Sequence, residues 1–225
     1  MITDEELAKI YPKSKTDPAV VDLYRRHDFM QAYALHTDYR VVNDGPRAAV
    51  GNPDDWERHG NLQAAFLKQA GLSRGHTLLE IGCGTGRLAR KIVPYLEICG
   101  YVGVDISERA TSFARESLHA EGLSGFVIST KWPDGLFDYL WAFSVSIHLP
   151  AHQLNLMMER AAARMHKYSR FYFSYVPQKV SERTGLKQFR HTLDVYQGAA
   201  EQAGLSFRRV EEWTGEQKVA LAMLQ

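Results

Sequence analysis

Residues 78–90 read Leu78-Leu79-Glu80-Ile81-Gly82-Cys83-Gly84-Thr85-Gly86-Arg87-Leu88-Ala89-Arg90. A short apolar run carrying one acid, closed by glycines, predicts a buried strand, and Leu88, Ile92 and Leu96 recur at helical spacing behind it. The spacing of Gly82, Gly84 and Gly86 is GxGxG; Arg87 and Leu88 follow, so the third glycine of the dinucleotide fingerprint GxGxxG is absent. Glycines lacking Cβ let backbone approach a ligand closely, and free N–H groups at a helix start favour a negative group such as a carboxylate. Beyond the next strand-like run, Tyr101–Val104, comes Asp105, whose two oxygens suit a ribose diol. Glu80 puts negative charge where an ammonium or sulfonium would sit. The pattern points to a nucleoside carrying an amino-acid tail.

Outward from this stretch, strand candidates alternate with amphipathic segments in the βαβ manner. The strands are expected at Thr77–Ile81, Tyr101–Asp105, Phe126–Ser129, Phe137–Phe143 and Arg170–Val176. Ala110, Phe113, Ala114 and Leu118 predict one helix face, and Leu154, Met158, Ala161 and Met165 another. After a polar stretch, 177–188, residues 191–205 read as a helix ending at Gly204. Ser206–Glu212 and Lys218–Leu224 read as an antiparallel pair closing one sheet edge. Before Ser73 the alternation is missing. Helical patterns at Asp4–Ile10, Pro18–Leu35 and Asp54–Ala70 flank an irregular segment with turns at Gly45-Pro46 and Asn52-Pro53. Two units are expected: residues 1–72, a helical extension or lid, and residues 73–225, a cofactor-binding core.

The chain has 225 residues, 27 Lys+Arg and 26 Asp+Glu, for a net charge of +1. That balance argues against a dedicated duplex nucleic-acid binder. A content of 45% hydrophobic residues supports a packed core. No apolar run approaches membrane-spanning length and no secretory leader is visible, so a soluble, cytoplasmic protein without a membrane partner is expected. Cys83 and Cys99 form no metal-ligand or disulfide pattern, and no metal is expected. Cys83 has no His in partner position and reads as a small loop residue rather than a nucleophile. The near-neutral total conceals opposites: residues 1–70 carry a net −2, whereas seven Lys/Arg against Glu182 give residues 164–190 a net +6.

Three segments, LLEIGCGTGRLA (78–89), YVGVDIS (101–107) and FDYLWAFSVSIHLP (137–150), resemble in order the glycine-rich, ribose-acid and fourth-strand motifs of the class I S-adenosylmethionine-dependent methyltransferases. The resemblance runs from about Leu72 to the C-terminus. It implies a Rossmann-like α/β fold: a seven-stranded, mostly parallel sheet with an antiparallel C-terminal strand and helices on both faces. It implies S-adenosylmethionine as cofactor and S-adenosylhomocysteine as product. Glu80, Gly82, Cys83, Gly84 and Gly86 would line the methionine end, with Asp105 on the ribose and Ile106 against the adenine. Ser129 and Thr130 would lie at the adenine edge, where the family's usual acid is missing, and Phe143 and Ser144 would face the cofactor and the transferred methyl.

Methyl transfer needs collinear donor and acceptor, with a base only where the acceptor is protonated. His148 is the candidate catalytic base. His36, Tyr39, His59, Gln63 and His191 are candidate acceptor contacts. The nucleic-acid aminomethylation tetrad and the paired glutamates of arginine-methylating relatives are missing, which favours transfer to an oxygen or nitrogen of a small molecule. The +6 stretch raises an anionic acceptor, or alternatively RNA or an acidic protein docked there; a cofactor-binding regulatory protein without turnover is a further alternative.

Overall fold

The computed structural model describes residues 2, 3, 5, 10 and 17–225. Helices α1 (Pro18–Arg26), α2 (Phe29–Asn43), α3 (Pro46–Ala49) and α4 (Trp56–Gln69) precede the sheet. There follow β1 (Leu78–Ile81), α5 (Ala89–Ile92), β2 (Tyr101–Val104), α6 (Glu108–Ala120), β3 (Phe126–Ser129), β4 (Phe137–Ala142), α7 (Ala151–Ala162) and β5 (Met165–Tyr175). A hairpin of β6 (Glu182–Gly185) and β7 (Gln188–Arg190), then α8 (Leu193–Gln202), β8 (Arg208–Val210) and β9 (Lys218–Ala222), complete the chain. The seven-stranded sheet has the order β3-β2-β1-β4-β5-β9-β8. Its first five strands pair in parallel and β9 pairs antiparallel to both β5 and β8, the Rossmann-like arrangement expected from the motifs.

All four residues of β1 are buried, as a central parallel strand covered on both faces must be. On one face Phe66 and Leu67 of α4, Ile92 of α5, and Ala114 and Leu118 of α6 pack with Leu78, Tyr101 and Trp141. On the other, Leu154 and Met158 of α7 and Tyr196 and Ala200 of α8 pack with Leu79, Ile81 and Phe173. Trp141 is fully buried and its indole N–H donates to Gln63 Oε1 at 2.9 Å; truncation to alanine costs about 3–5 kcal/mol at such a site. A third apolar cluster joins Val20, Val21 and Tyr24 of α1 and Ala32 of α2 to Leu186 between β6 and β7. The N-terminal helices thus pack on the hairpin, whereas α4 packs on the sheet.

Several expectations need correction. Met165 belongs to β5, where it pairs with Phe137; α7 has already ended at Ala162. The strand starts ahead of Arg170 because Ser169 Oγ accepts from His166 N and donates to Phe137 O, bridging a bulge. Pro18–Leu35 is two helices, broken where Asp28 caps α2 by accepting from Gln31 N at 3.1 Å. The stretch 177–188 contains β6 and the start of β7, a pairing too short to show a period. The pattern at Asp4–Ile10 falls outside the described residues except for Glu5 and Ile10. Among the described residues, no helix is long and apolar enough to cross a membrane.

Candidate functional site

A cavity of about 420 Å³ opens at the carboxyl ends of β1, β2 and β4, where parallel α/β sheets place their ligands. Its floor is the glycine loop. Gly82 N and Cys83 N both donate to Val104 O, at 2.7 and 3.1 Å, so the loop is stitched to the end of β2. Gly82 and Gly84 have φ of 76° and 52°, and a Cβ on Gly84 would lie 2.8 Å from Val50 Cγ1. Backbone and roof are therefore in contact and only glycine fits. The regular helix begins at Ala89, after a turn, rather than directly behind Gly86; a Cβ on Gly86 would meet Ala114 of α6 at 3.3 Å. That glycine serves helix packing.

Asp105 Oδ2 accepts from Gly84 N at 2.9 Å and Oδ1 from Ser107 N at 3.0 Å. Burial raises its pKa against those bonds. Glu80 is buried and accepts from Tyr101 Oη at 2.5 Å; burial pushes its pKa up to about 8. Burial likewise pushes the Cys83 thiol well up, which leaves it protonated and unreactive. Arg87 lines the same end with its guanidinium 5.7 Å from the Phe143 ring. Among the described residues it makes no hydrogen bond or ion pair, and burial lowers its pKa while Glu80 raises it.

Beyond β4 the backbone turns sharply. Ser144 has φ of 59°, a strained value for a residue with a Cβ, and is held there: its N–H donates to Ser174 Oγ at 2.7 Å, and Gln217 Nε2 donates to its hydroxyl. His148 ends the next turn, with Nδ1 2.7 Å from Lys187 O. A carbonyl only accepts, so Nδ1 carries the proton and Nε2 the lone pair. Burial and then the Lys187 charge hold His148 down at about 4, a neutral imidazole at neutral pH.

Of the residues singled out from the sequence, Glu80, Gly82, Cys83, Gly84, Asp105, Ile106, Thr130, Phe143, Ser144 and His148 line this one cavity. Gly86 and Ser129 do not; Ser129 Oγ caps the following turn by accepting from Lys131 N. None of the five candidate acceptor contacts lines it. His36 is buried against Tyr24 Oη at 3.1 Å, Tyr39 is tied to Asp17, Gln63 is committed to Trp141, and His191 is buried against Leu149 O at 2.8 Å rather than facing the mouth. His59 lies against Arg58 and the Phe143 ring.

The cavity instead recruits residues that sequence reasoning missed: Tyr33 and Arg40 from α2, Trp132, Arg160, and Lys187 from the hairpin. The net charge of 164–190 was the one signal toward Lys187. The rest of that stretch is dispersed. Arg164 donates to Pro133 O, Arg170 to Ala70 O and Arg183 to Leu186 O, while Arg190 pairs with Glu182.

A family model described as a methyltransferase domain matches residues 79–170. Sterol 24-C-methyltransferase erg6 of Aspergillus fumigatus is 34% identical over 89 residues, 36% of this chain and 23% of that protein. The match thus spans about a quarter of the fungal relative. Among solved structures, magnesium protoporphyrin IX methyltransferase of Synechocystis with bound SAH superposes with a TM-score of 0.68 at 17% identity, covering 88% of this chain and 100% of that one. The sugar N-methyltransferase KedS8 of a Streptoalloteichus species gives 0.62 at 12% identity, covering 83% and 92%. At such identities the structural likeness speaks to the fold. The glycine loop, the strand order and the matched stretch agree: residues 79–170 match a methyltransferase domain, within a chain that has the fold of the class I S-adenosylmethionine-dependent methyltransferases.

Proposed function

We propose that this protein transfers a methyl group from S-adenosylmethionine to an oxygen or nitrogen of a small-molecule acceptor, with α2 and the β6–β7 hairpin as the cover of the site. The observation that carries the reading is a single cavity with a cofactor-type floor (the glycine loop, Glu80, Asp105) and, on its far side, His148 oriented by a backbone carbonyl. The floor fits the cofactor. Glu80, its pKa raised by burial despite the nearby Arg87 charge, and Arg87, without a hydrogen-bonding partner among the described residues, share one end, which suits the ammonium and carboxylate of an amino-acid tail. Asp105 keeps lone pairs for a ribose diol beside the two it already uses.

When bound, the cofactor supplies an electrophilic methyl carbon on a sulfonium. His148 Nε2 takes the proton of an acceptor O–H or N–H as that atom attacks, beside the apolar side chains of Val50 and Val145 and the Tyr33 ring. Four basic residues line the cavity against two acids, which favours an anionic acceptor. The dispersal of the 164–190 cations weighs against a docked polyanion.

The test is direct. Purified protein should bind S-adenosylhomocysteine with micromolar affinity by calorimetry and pass labelled methyl from S-adenosylmethionine to members of a panel of small alcohols, amines and acids. No binding of S-adenosylhomocysteine would overturn the proposal; label appearing only in RNA or protein would move the acceptor to a macromolecule.

A further inference from the structure

Three polar atoms border the cavity without polar partners among the described residues: Lys187 Nζ, Tyr33 Oη and His148 Nε2. They come from three separate segments whose side chains pack against one another. Lys187 Nζ lies 5.2 Å from the centre of the Tyr33 ring, and the Tyr33 and His148 rings are 5.7 Å apart. The hairpin holds this geometry, because Leu186 is buried in the cluster of α1 and α2 and Lys187 O binds His148 Nδ1. Arg40, by contrast, is spent on Asp44 and the carbonyls of Ala48 and Ala49.

A half-buried ammonium over an aromatic face, with no hydrogen-bonded counter-ion among the described residues, is held at a cost even with the Asp105 and Asp44 charges nearby. Burial, and then the neighbouring Arg40, lower the Lys187 pKa to about 8, so the group is waiting for a counter-charge. The hydroxyl of the same tyrosine, also lining the cavity, adds a donor, and donor plus point charge is the recognition set of an anionic oxygen group. The opposite end already has Arg87 for the cofactor's own carboxylate.

We propose that Lys187 and Tyr33 form an anion subsite that holds the acceptor by a carboxylate or phosphate and presents it beside His148. This rests on the reading of the cavity as a methyl-transfer site, and it makes the β6–β7 hairpin the element that selects substrates.

The experiment is a titration of benzoate, phenyl phosphate and benzamide into protein saturated with S-adenosylhomocysteine, followed by calorimetry. At least one of the two anions should bind tenfold or more tightly than the amide, and whichever does so names the group. Lys187→Met should abolish that preference while leaving S-adenosylhomocysteine affinity within twofold, and Lys187→Arg should retain part of it. Tyr33→Phe, which removes only the hydroxyl, should lower anion affinity severalfold and serves if Lys187→Met does not fold. Equal binding of anions and amide by the wild type, or unchanged preference in both Lys187→Met and Tyr33→Phe, would overturn the subsite. A tenfold loss of S-adenosylhomocysteine affinity in Lys187→Met would overturn it too, by assigning the lysine to the cofactor. If S-adenosylhomocysteine fails to bind the wild type, the methyltransferase reading falls; the same titration on ligand-free protein still reads the subsite.

Discussion

The carboxylate of Asp105 accepts the N–H of Gly84 at 2.9 Å, so the tip of β2 holds the loop that follows β1. Its other oxygen is shared with Ser107 N. Asp105→Ala therefore removes both the proposed contact to a ribose and the clamp on the loop. The expected loss in S-adenosylhomocysteine binding is about 1–3 kcal/mol, the worth of charge-assisted hydrogen bonds, or roughly ten- to hundredfold in Kd. Asp105→Asn, keeping one acceptor oxygen, should lose less. Calorimetry showing unaltered affinity in the alanine variant would remove Asp105 from the site.

Glu80 makes stability depend on pH. Its ordinary pKa of 4.5 is raised by burial to about 8, so between these values the folded protein keeps a proton that the unfolded chain releases. Stability is then highest below about 4.5 and falls as pH rises toward 8. Glu80→Gln should abolish this slope, unfolding at a higher temperature than wild type above pH 8 and matching it near pH 4.5. If Glu80 faces the ammonium of the cofactor, binding at pH 7 should release a proton, seen as a buffer-dependent enthalpy that Glu80→Gln lacks. Identical pH profiles for the two proteins would show that Glu80 does not titrate as described.

What could be read from the chain alone follows from where each signal is encoded. The glycine loop, Glu80 and Asp105 were legible because backbone conformation and charge at a strand tip are local properties, written into consecutive residues. The opposite side of the cavity was not. Tyr33 and Lys187 meet only because α2 and the β6–β7 hairpin fold over the sheet, and no periodicity links residues more than a hundred apart. Polar candidates such as His36, Gln63 and His191 looked functional as isolated residues. In the fold each is absorbed by one buried hydrogen bond, to Tyr24, Trp141 and Leu149 O respectively.

For His148, holding the imidazole near 4 through burial means the neutral base is already present at pH 6. The kcat profile should be flat from pH 6 to 8 and fall below about 5, where Nε2 becomes protonated. His148→Asn preserves a donor for the Lys187 carbonyl but has no base, so kcat should drop by roughly 10²–10⁴-fold with S-adenosylhomocysteine affinity unchanged. Turnover equal to wild type would reduce His148 to a tie between the turn and the hairpin.

Asp38 ties α2 to the start of α6. From α2 its Oδ1 accepts both Ser107 Oγ at 2.5 Å and Arg109 N at 3.0 Å, capping α6 right behind Asp105. Asp38→Ala should cost about 1 kcal/mol through the lost cap, and it also frees α2 from the cofactor loop. Stopped-flow release of S-adenosylhomocysteine should accelerate severalfold, with the thermal midpoint only slightly lowered. A release rate equal to wild type would mean that α2 does not gate the site.

The contact between Gly84 and Val50 offers a test that separates shape from charge. Gly84→Ala adds a methyl 2.8 Å from Val50 Cγ1 at a φ of +52°, so two penalties act together: steric overlap with the roof and a left-handed backbone, the latter about 1–2 kcal/mol. The single variant should lose S-adenosylhomocysteine binding at least tenfold. Val50→Ala relieves the overlap and leaves the backbone penalty, so Gly84→Ala with Val50→Ala should recover part of the affinity, and the double-mutant coupling should be favourable. Strict additivity would show that the roof moves independently of the loop; full recovery would show that the glycine is needed for space alone.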